Sequence, residues 1–284
     1  MRLEDQRPST NVEDRRGMRV GRGAATGGIG IIIIALIAMF FGVDPRPILQ
    51  SGGPAVAPPA QQQRGAAPPK DDPAAQFVAK VLASTEDVWT EVFARSGRTY
   101  QKPTLVLFDG AVQSACGYAQ AAVGPFYCPP DKKVYIDLAF YRDLATRFRA
   151  PGDFAQAYVL AHEVGHHVQN LLGIAERVHG LQRRVNERQA NDLSVRMELQ
   201  ADCLAGIWAA RANAKSRILE PGDAEEGIAA AAAVGDDRIQ MATRGYVAPD
   251  GFTHGSAQQR VRWFRRGFES GDLAQCDTFS VTNL

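Results

Sequence analysis

Histidine is scarce in this chain. Only five occur in 284 residues, His162, His166, His167, His179 and His254, so a centre built on imidazole has few ways to be assembled. Net charge is close to absent: 32 basic and 31 acidic side chains leave a formal +1, which removes the electrostatic case for a nucleic-acid partner. From Gly23 to Val43 charge is missing altogether. Cysteine is confined to Cys116, Cys128, Cys203 and Cys276, and a closed structural metal site, usually Cys-rich with four protein ligands, finds no convincing fourth ligand.

The uncharged run bounds the organisation. About 20 apolar residues span a bilayer core as a helix, and the stretch centred on Ile29 to Phe41 predicts one transmembrane helix over 23–43. Arg2, Arg7, Arg15, Arg16, Arg19 and Arg22 precede it. Basic residues on that side predict a cytoplasmic N-terminal tail, 1–22, and an extracytoplasmic remainder. A cleavable signal peptide is the rival, but its apolar region would be about 7–15 residues and end in small residues. Here Val43-Asp44-Pro45-Arg46-Pro47 follows. Residues 44–73 are rich in Pro, Ala, Gly and Gln, a composition that buries no core and predicts a disordered linker. All four cysteines lie beyond the run, as an oxidising compartment permits. Cys116 and Cys128 are close in sequence and form the first expected pair. Cys203 and Cys276 would then tie a helix to the C-terminal tail, though four cysteines allow three pairings.

His162-Glu163-Val164-Gly165-His166 carries the chemistry. Helix positions four apart stack on one face, so the two imidazoles converge. Glu163 lies about 100° around, near enough to reach a ligand of whatever they hold. Two neutral imidazoles and an adjacent carboxylate suit one catalytic Zn2+ and its bound water, and His-Glu-x-x-His on a helix is the zinc metalloprotease pattern. Leu160, Val164, Val168 and Leu171 supply helical apolar spacing. Gly165, costly inside a helix, fits close approach of a backbone or of substrate.

A catalytic zinc takes a third protein ligand. His167 points about 100° from His166 and is expected at the surface or behind the ligands. His179 sits in a charged stretch read as a solvated helix face. The position six residues after His166 is Leu172, so the extended three-histidine pattern is absent. Glu198 is the better candidate, on a long helix over about 186–212 whose buried side holds Leu193, Met197, Leu204, Ile207 and Trp208. Asp202, four residues on, shares its face. Glu198 as ligand and Asp202 as hydrogen-bond acceptor for a ligand histidine, His162, is the first arrangement. The reverse assignment is its internal rival.

The soluble part, 74–284, reads as α+β and mainly helical with a small antiparallel sheet. A helix to about Arg95 precedes a buried strand, 104–108, and then a hairpin of Phe126-Tyr127-Cys128 with Val134-Tyr135-Ile136-Asp137. Gly124 to Tyr127 is a candidate edge for an extended substrate. One helix is expected over roughly 223–243, carrying Asp236, Asp237 and Arg238 on a solvated or salt-bridged face. Ser256 looks like the N-cap of a terminal helix, with His254 on the loop before it.

The set His162-Glu163-Val164-Gly165-His166-His167-Val168-Gln169 with Glu198-Leu199-Gln200-Ala201-Asp202-Cys203 resembles the bacterial putative neutral zinc metallopeptidase family, of the gluzincin group. Asn11 to Gly17, Gly124 to Pro129, Gly235 to Arg238 and Phe252 to Ser256 resemble its other landmarks, and the ligand positions show no departure. The resemblance implies a zincin-like domain that hydrolyses peptide or protein substrates, Glu198 as third ligand, Asp202 behind it, and His254 as a hydrogen-bond donor to the oxyanion. It also implies a bacterial inner membrane as the location. The alternative function is a catalytically silent, membrane-tethered binding or chaperone-like protein on the same scaffold. Cleavage specificity and oligomeric state leave no signature in the chain.

Overall fold

The computed structural model describes residues 1–18, 66–121 and 124–284. The expected transmembrane helix and most of the expected linker lie outside these residues. Among the described residues no helix is long and apolar enough to cross a membrane. The chain divides into two compact units, Thr10–Ala79 with Pro103–Phe140, and Met1–Ser9 with Lys80–Lys102 and Tyr141–Leu284.

The first unit is built on a four-stranded sheet. Its strands are β1 (Val12–Asp14), β2 (Thr104–Phe108), β5 (Phe126–Cys128) and β6 (Lys133–Asp137), in the order β1-β2-β6-β5. A separate hairpin is formed by β3 (Ala111–Ser114) and β4 (Gly117–Gln120). The expected small antiparallel sheet is corrected here. β1 pairs parallel to β2, and β2 parallel to β6 with Leu105 opposite Val134; only β5 runs antiparallel, with Phe126 opposite Tyr135. Parallel neighbours need a crossover of a dozen or more residues, which the stretch between Phe108 and Lys133 supplies. Strand β2 is an apolar run because parallel central strands are covered on both faces; Leu105, Val106, Leu107 and Phe108 are all buried. Val106, Phe108, Val112, Ala119, Cys128 and Tyr135 form one core cluster. Phe126 stacks on Tyr135 at 4.7 Å. The Cys116–Cys128 disulfide ties the hairpin to β5, the strand that ends the sheet at the expected edge segment.

The second unit is helical. Its elements are most of α1 (Pro73–Arg95), α2 (Phe140–Thr146), α3 (Asp153–Leu171), α4 (Ile174–Gln182), α5 (Glu187–Ser216), α6 (Asp223–Ala233), α7 (Asp236–Arg244) and α8 (Ala257–Ser270). Helix α5 lies between α3 and α8. Gly206 faces the backbone of Phe264 and Gly267 the backbone of Cys203 so closely that a Cβ at either place would overlap it. These glycines set the α5–α8 spacing, and the Cys203–Cys276 disulfide fastens α5 to the C-terminal segment.

Residues 223–243 are not one helix. The alanine-rich run ends at Ala233, and α7 begins again at Asp236. Gly235 lies against the backbone of Ala257, with no room for a Cβ, and the Asp236 N–H donates to the Gly255 carbonyl at 2.8 Å rather than to a helical partner. A tertiary contact thus interrupts a segment whose composition favours continuity.

The N-terminal residues are part of the fold. In the sheet unit, Asn11 accepts from the Leu105 N–H at 2.8 Å and Arg15 donates its N–H to Leu107 at 2.8 Å. In the helical unit, Lys80 donates to the Leu3 carbonyl at 2.7 Å, and Ser9 donates to Glu86 at 2.6 Å. The Met1 ammonium sits 2.6 Å from Asp153 and 3.4 Å from Asp223.

Candidate active site

Helix α3 places Tyr158, His162 and His166 four residues apart, hence on one face. Helix α5 starts at an Asn186 capping box with Gln189, and its Glu198 and Asp202 share the facing side. The two helices meet at Gly165. A Cβ there would lie 3.0 Å from the Ala201 carbonyl oxygen and 3.1 Å from its Cα. The motif glycine therefore makes room for the backbone of α5 at the turn between Glu198 and Asp202.

Both imidazoles point Nε2 at one carboxylate. His162 Nε2 is 3.1 Å from Glu198 Oε2, and His166 Nε2 is 3.4 Å from Glu198 Oε1. The rings stand at 88° with centroids 4.8 Å apart. One donor atom from each of the three residues lies within 4.8 Å of the others. Each Nδ1 is already engaged: His162 donates to Asp202 Oδ1 at 2.9 Å, and His166 donates to Gln169 Oε1 at 2.9 Å. Gln169 is held in turn, donating to the Met197 carbonyl at 2.8 Å and to Gln200 at 3.0 Å. With both Nδ1 atoms occupied, the lone pairs left for a cation are the two Nε2 pairs and the Glu198 oxygens. Two neutral imidazoles and one carboxylate are a donor set that suits zinc.

Asp202 is fully buried and accepts four hydrogen bonds. Tyr158 donates at 2.5 Å, His162 Nδ1 at 2.9 Å, and Arg260 through Nε and Nη2, both at 2.8 Å. Burial works to raise its pKa, but the Arg260 charge and the His162 hydrogen bond outweigh it and hold the carboxyl below its usual value. Burial likewise opposes ionisation of Glu198; the charges of His166 and His254 and the His162 hydrogen bond push it well below the usual carboxylate range. On His162 burial disfavours the charge, yet the hydrogen bonds of Asp202 and Glu198 hold its pKa up to about 10. A cation binding here must displace that proton, so its affinity depends on pH.

Glu163 is buried on the neighbouring strip of α3, and among the described residues no group hydrogen-bonds its carboxylate. Burial raises its pKa, against the lowering effect of His166 and His162. His254 lies within the electrostatic reach of Glu198. Its Nδ1 is 3.2 Å from Asp236 Oδ1, while Asp236 Oδ2 accepts the backbone N–H groups of Thr253, His254 and Gly255 at 2.7, 2.6 and 3.0 Å. Burial lowers the His254 pKa, but Glu198 and Asp236 together raise it above the ordinary value.

Asp236 is thus not on a solvated face. It is a buried anchor for the loop that carries His254, and Asp237 caps the start of α8 through the Ala257 N–H at 2.7 Å. His167 is wholly buried and bonded to the Gln101 carbonyl at 2.6 Å, away from the cluster. His179 is half-buried on α4. Sequence reasoning missed Tyr158, Gln169 and Arg260 as supports of the site. Arg260 left a signal: it falls on the buried stripe of α8 with Ala257, Phe264 and Gly267, where a charge has to find a partner.

Two histidines on α3 and a glutamate on α5 bring three donor atoms together that could hold a metal ion, with a buried acid on the adjacent strip. The chain belongs to the family described as "Putative neutral zinc metallopeptidase", which it matches over residues 1–279. It is 48% identical over 290 residues to a protein of Escherichia coli (strain K12) named "Uncharacterized protein YpfJ", covering 98% of this chain and 99% of that one. It is 48% identical over 195 residues to "Uncharacterized protein Rv2575" of Mycobacterium tuberculosis (strain ATCC 25618 / H37Rv), covering 65% of each. No solved structure matches the chain.

Proposed function

We propose that the protein is a zinc-dependent peptidase that hydrolyses peptide bonds in peptide or protein substrates. One observation carries the reading: the Nε2 atoms of His162 and His166 and the carboxylate of Glu198 converge, while a different acid, Asp202, is fully occupied behind them. This supports Glu198 rather than Asp202 as the third ligand, because the Asp202 oxygens are spent on Tyr158, His162 and Arg260.

A single zinc held by these three residues would acidify a water and polarise the scissile carbonyl. The remaining steps fall to this chain's own groups. Glu163, buried and with its pKa raised, takes the proton from the attacking water and delivers it to the leaving amine. Asp202 fixes the tautomer of His162, and Gln169 that of His166. His254, with Nδ1 turned to Asp236 and its pKa raised, can in its protonated form donate from Nε2 to the oxyanion, a contribution of about 2.7–4 kcal/mol where such donors have been removed. The buried Glu163 favours an enzyme over a silent binding module, which needs no base. The uncharged run over 23–43 supports attachment to a membrane as part of the same proposal.

Glu163→Gln tests the reading. The full-length protein, loaded with one zinc, is expected to cleave an internally quenched peptide library. The variant is expected to keep its zinc and lose cleavage. Equal turnover by both would reject Glu163 as the base, and no cleavage by zinc-loaded wild type would reject the peptidase.

A further inference from the structure

A protein that crosses a membrane once between residues 1–18 and its catalytic body has those two parts on opposite faces. The pairing of β1 with β2 does not permit this. Val12, Glu13 and Asp14 lie in register beside Leu105, Val106 and Leu107, and a bilayer core is about 30 Å thick. Further contacts hold the same segment within the sheet unit. Asp14 donates its N–H to the Ala66 carbonyl at 2.7 Å, Lys133 donates to Glu13 at 2.9 Å, and Arg16 donates to Asp72 at 2.7 Å. In the helical unit Arg2 donates its N–H to Ile218 at 2.7 Å, Arg7 pairs with Asp87 at 2.6 Å, and Leu3 is buried.

Charge agrees with this placement. Arg7, Arg15 and Arg16 are among the arginines expected to hold the N-terminus in the cytoplasm. Each has an acidic partner in the fold: Asp87 for Arg7, Glu13 for Arg15, and Asp14 with Asp72 for Arg16. The compartment follows from a separate observation. Cys116–Cys128 and Cys203–Cys276 are both disulfides, and such bonds form and persist in oxidising surroundings. Between Ala66 and Leu284 no described helix could carry the chain through a membrane, so strand β2 and both disulfides share one side.

We infer that residues 1–18 are exported together with the disulfide-bonded body and occupy the same side of the membrane. The inference does not depend on the peptidase reading.

Two measurements test it. Hydrogen exchange on the purified full-length wild type, in the detergent used to extract it, reads the pairing directly. The amides of Asp14, Arg15 and Leu105 are expected to be protected to the same order as the β2–β6 ladder; free exchange at all three would overturn the inference. Sidedness is read with Asp5→Cys and, separately, Glu269→Cys, both at exposed positions, in spheroplasts of a bacterial host. The native cysteines are engaged in disulfides. A membrane-impermeant maleimide is expected to label both variants before lysis. Labelling of position 269 alone, with position 5 reacting only after lysis, would restore the single crossing. Labelling of both only after lysis would refute export.

Discussion

Arg260 grips Asp202 through two parallel hydrogen bonds, Nε to Oδ2 and Nη2 to Oδ1, both 2.8 Å, with both side chains buried. A bidentate guanidinium–carboxylate pair has direction as well as charge. It leaves Asp202 Oδ1 aimed at Tyr158 and at His162 Nδ1, so a residue on α8 determines how an imidazole on α3 is presented. Arg260→Gln is expected to lower zinc affinity about 10- to 100-fold, the usual effect of losing a group behind a metal ligand. It is also expected to cost about 3–5 kcal/mol of stability, because Asp202 stays buried without its guanidinium partner. Competition with a chromogenic chelator and denaturant unfolding measure the two effects. An unchanged zinc constant in a destabilised variant would make Arg260 purely structural.

Glu198→Ala is expected to reduce zinc from about one ion per chain to background, while Asp202→Asn weakens it without abolishing it. Elemental analysis of the purified variants decides between the two assignments. Loss of zinc in Asp202→Asn alone would reverse them.

Gly165→Ala puts a methyl group 3.0 Å from the Ala201 carbonyl oxygen, closer than a packed interior accommodates. The helix pair has to separate, at about 1–3 kcal/mol by the usual cost of overpacking. The strain falls at the turn bearing Glu198, so zinc affinity is expected to drop along with the melting temperature.

Asp236→Asn removes the charge and turns one carboxylate oxygen into an amide donor, where Oδ2 now accepts three backbone N–H groups and Oδ1 faces His254. The expected loss is about 1–3 kcal/mol, with a decline in kcat. Its pH dependence has a definite sign. Burial raises the Asp236 pKa, but the His254 hydrogen bond and charge and the backbone donors take it below the ordinary carboxylate value. Its stabilisation is therefore present in full above the unfolded-state value and fades as pH falls through the lower folded-state value. The gap between wild type and variant in urea unfolding should be largest near pH 5, shrink as pH rises through the raised His254 value to which Asp236 contributes, and narrow again well into acid. A gap that widened below pH 4 would contradict this account.

The Cys203–Cys276 bond closes a segment of 73 residues. By loop-closure entropy its replacement with two serines should cost about 4 kcal/mol, and it should act through α5, the helix that carries Glu198. Thermal unfolding of the double variant, with and without zinc, checks this.

How much of this was legible in the chain depends on the distance over which each feature is decided. The spacing of His162 and His166 follows from helical repeat, as does that of Glu198 and Asp202, and both pairs could be placed on helix faces without coordinates. The β2 strand and the β5–β6 hairpin were visible for a similar reason, since alternation, turn residues and apolar runs are local. The break at Gly235 was hidden, because an alanine-rich stretch followed by charged helix formers reads as continuous. Only the Ala257 backbone, brought close by α8, requires the interruption. Strand β1 was hidden too: Val12-Glu13-Asp14 is short and mostly charged, and its charges are satisfied by Arg15, Lys133 and Arg16 in the fold.

The chain by itself settled which side chains could act together along one helix, because neighbours three and four residues apart are brought together by the backbone repeat alone. It did not settle which buried partner each imidazole nitrogen would meet, which direction the strands would run, or where the first residues would lodge. Those depend on packing between segments separated by tens to hundreds of residues. There a missing Cβ at Gly165, Gly235 or Gly267 and a guanidinium buried against Asp202 decide the outcome, and no local pattern encodes the approach of two distant surfaces.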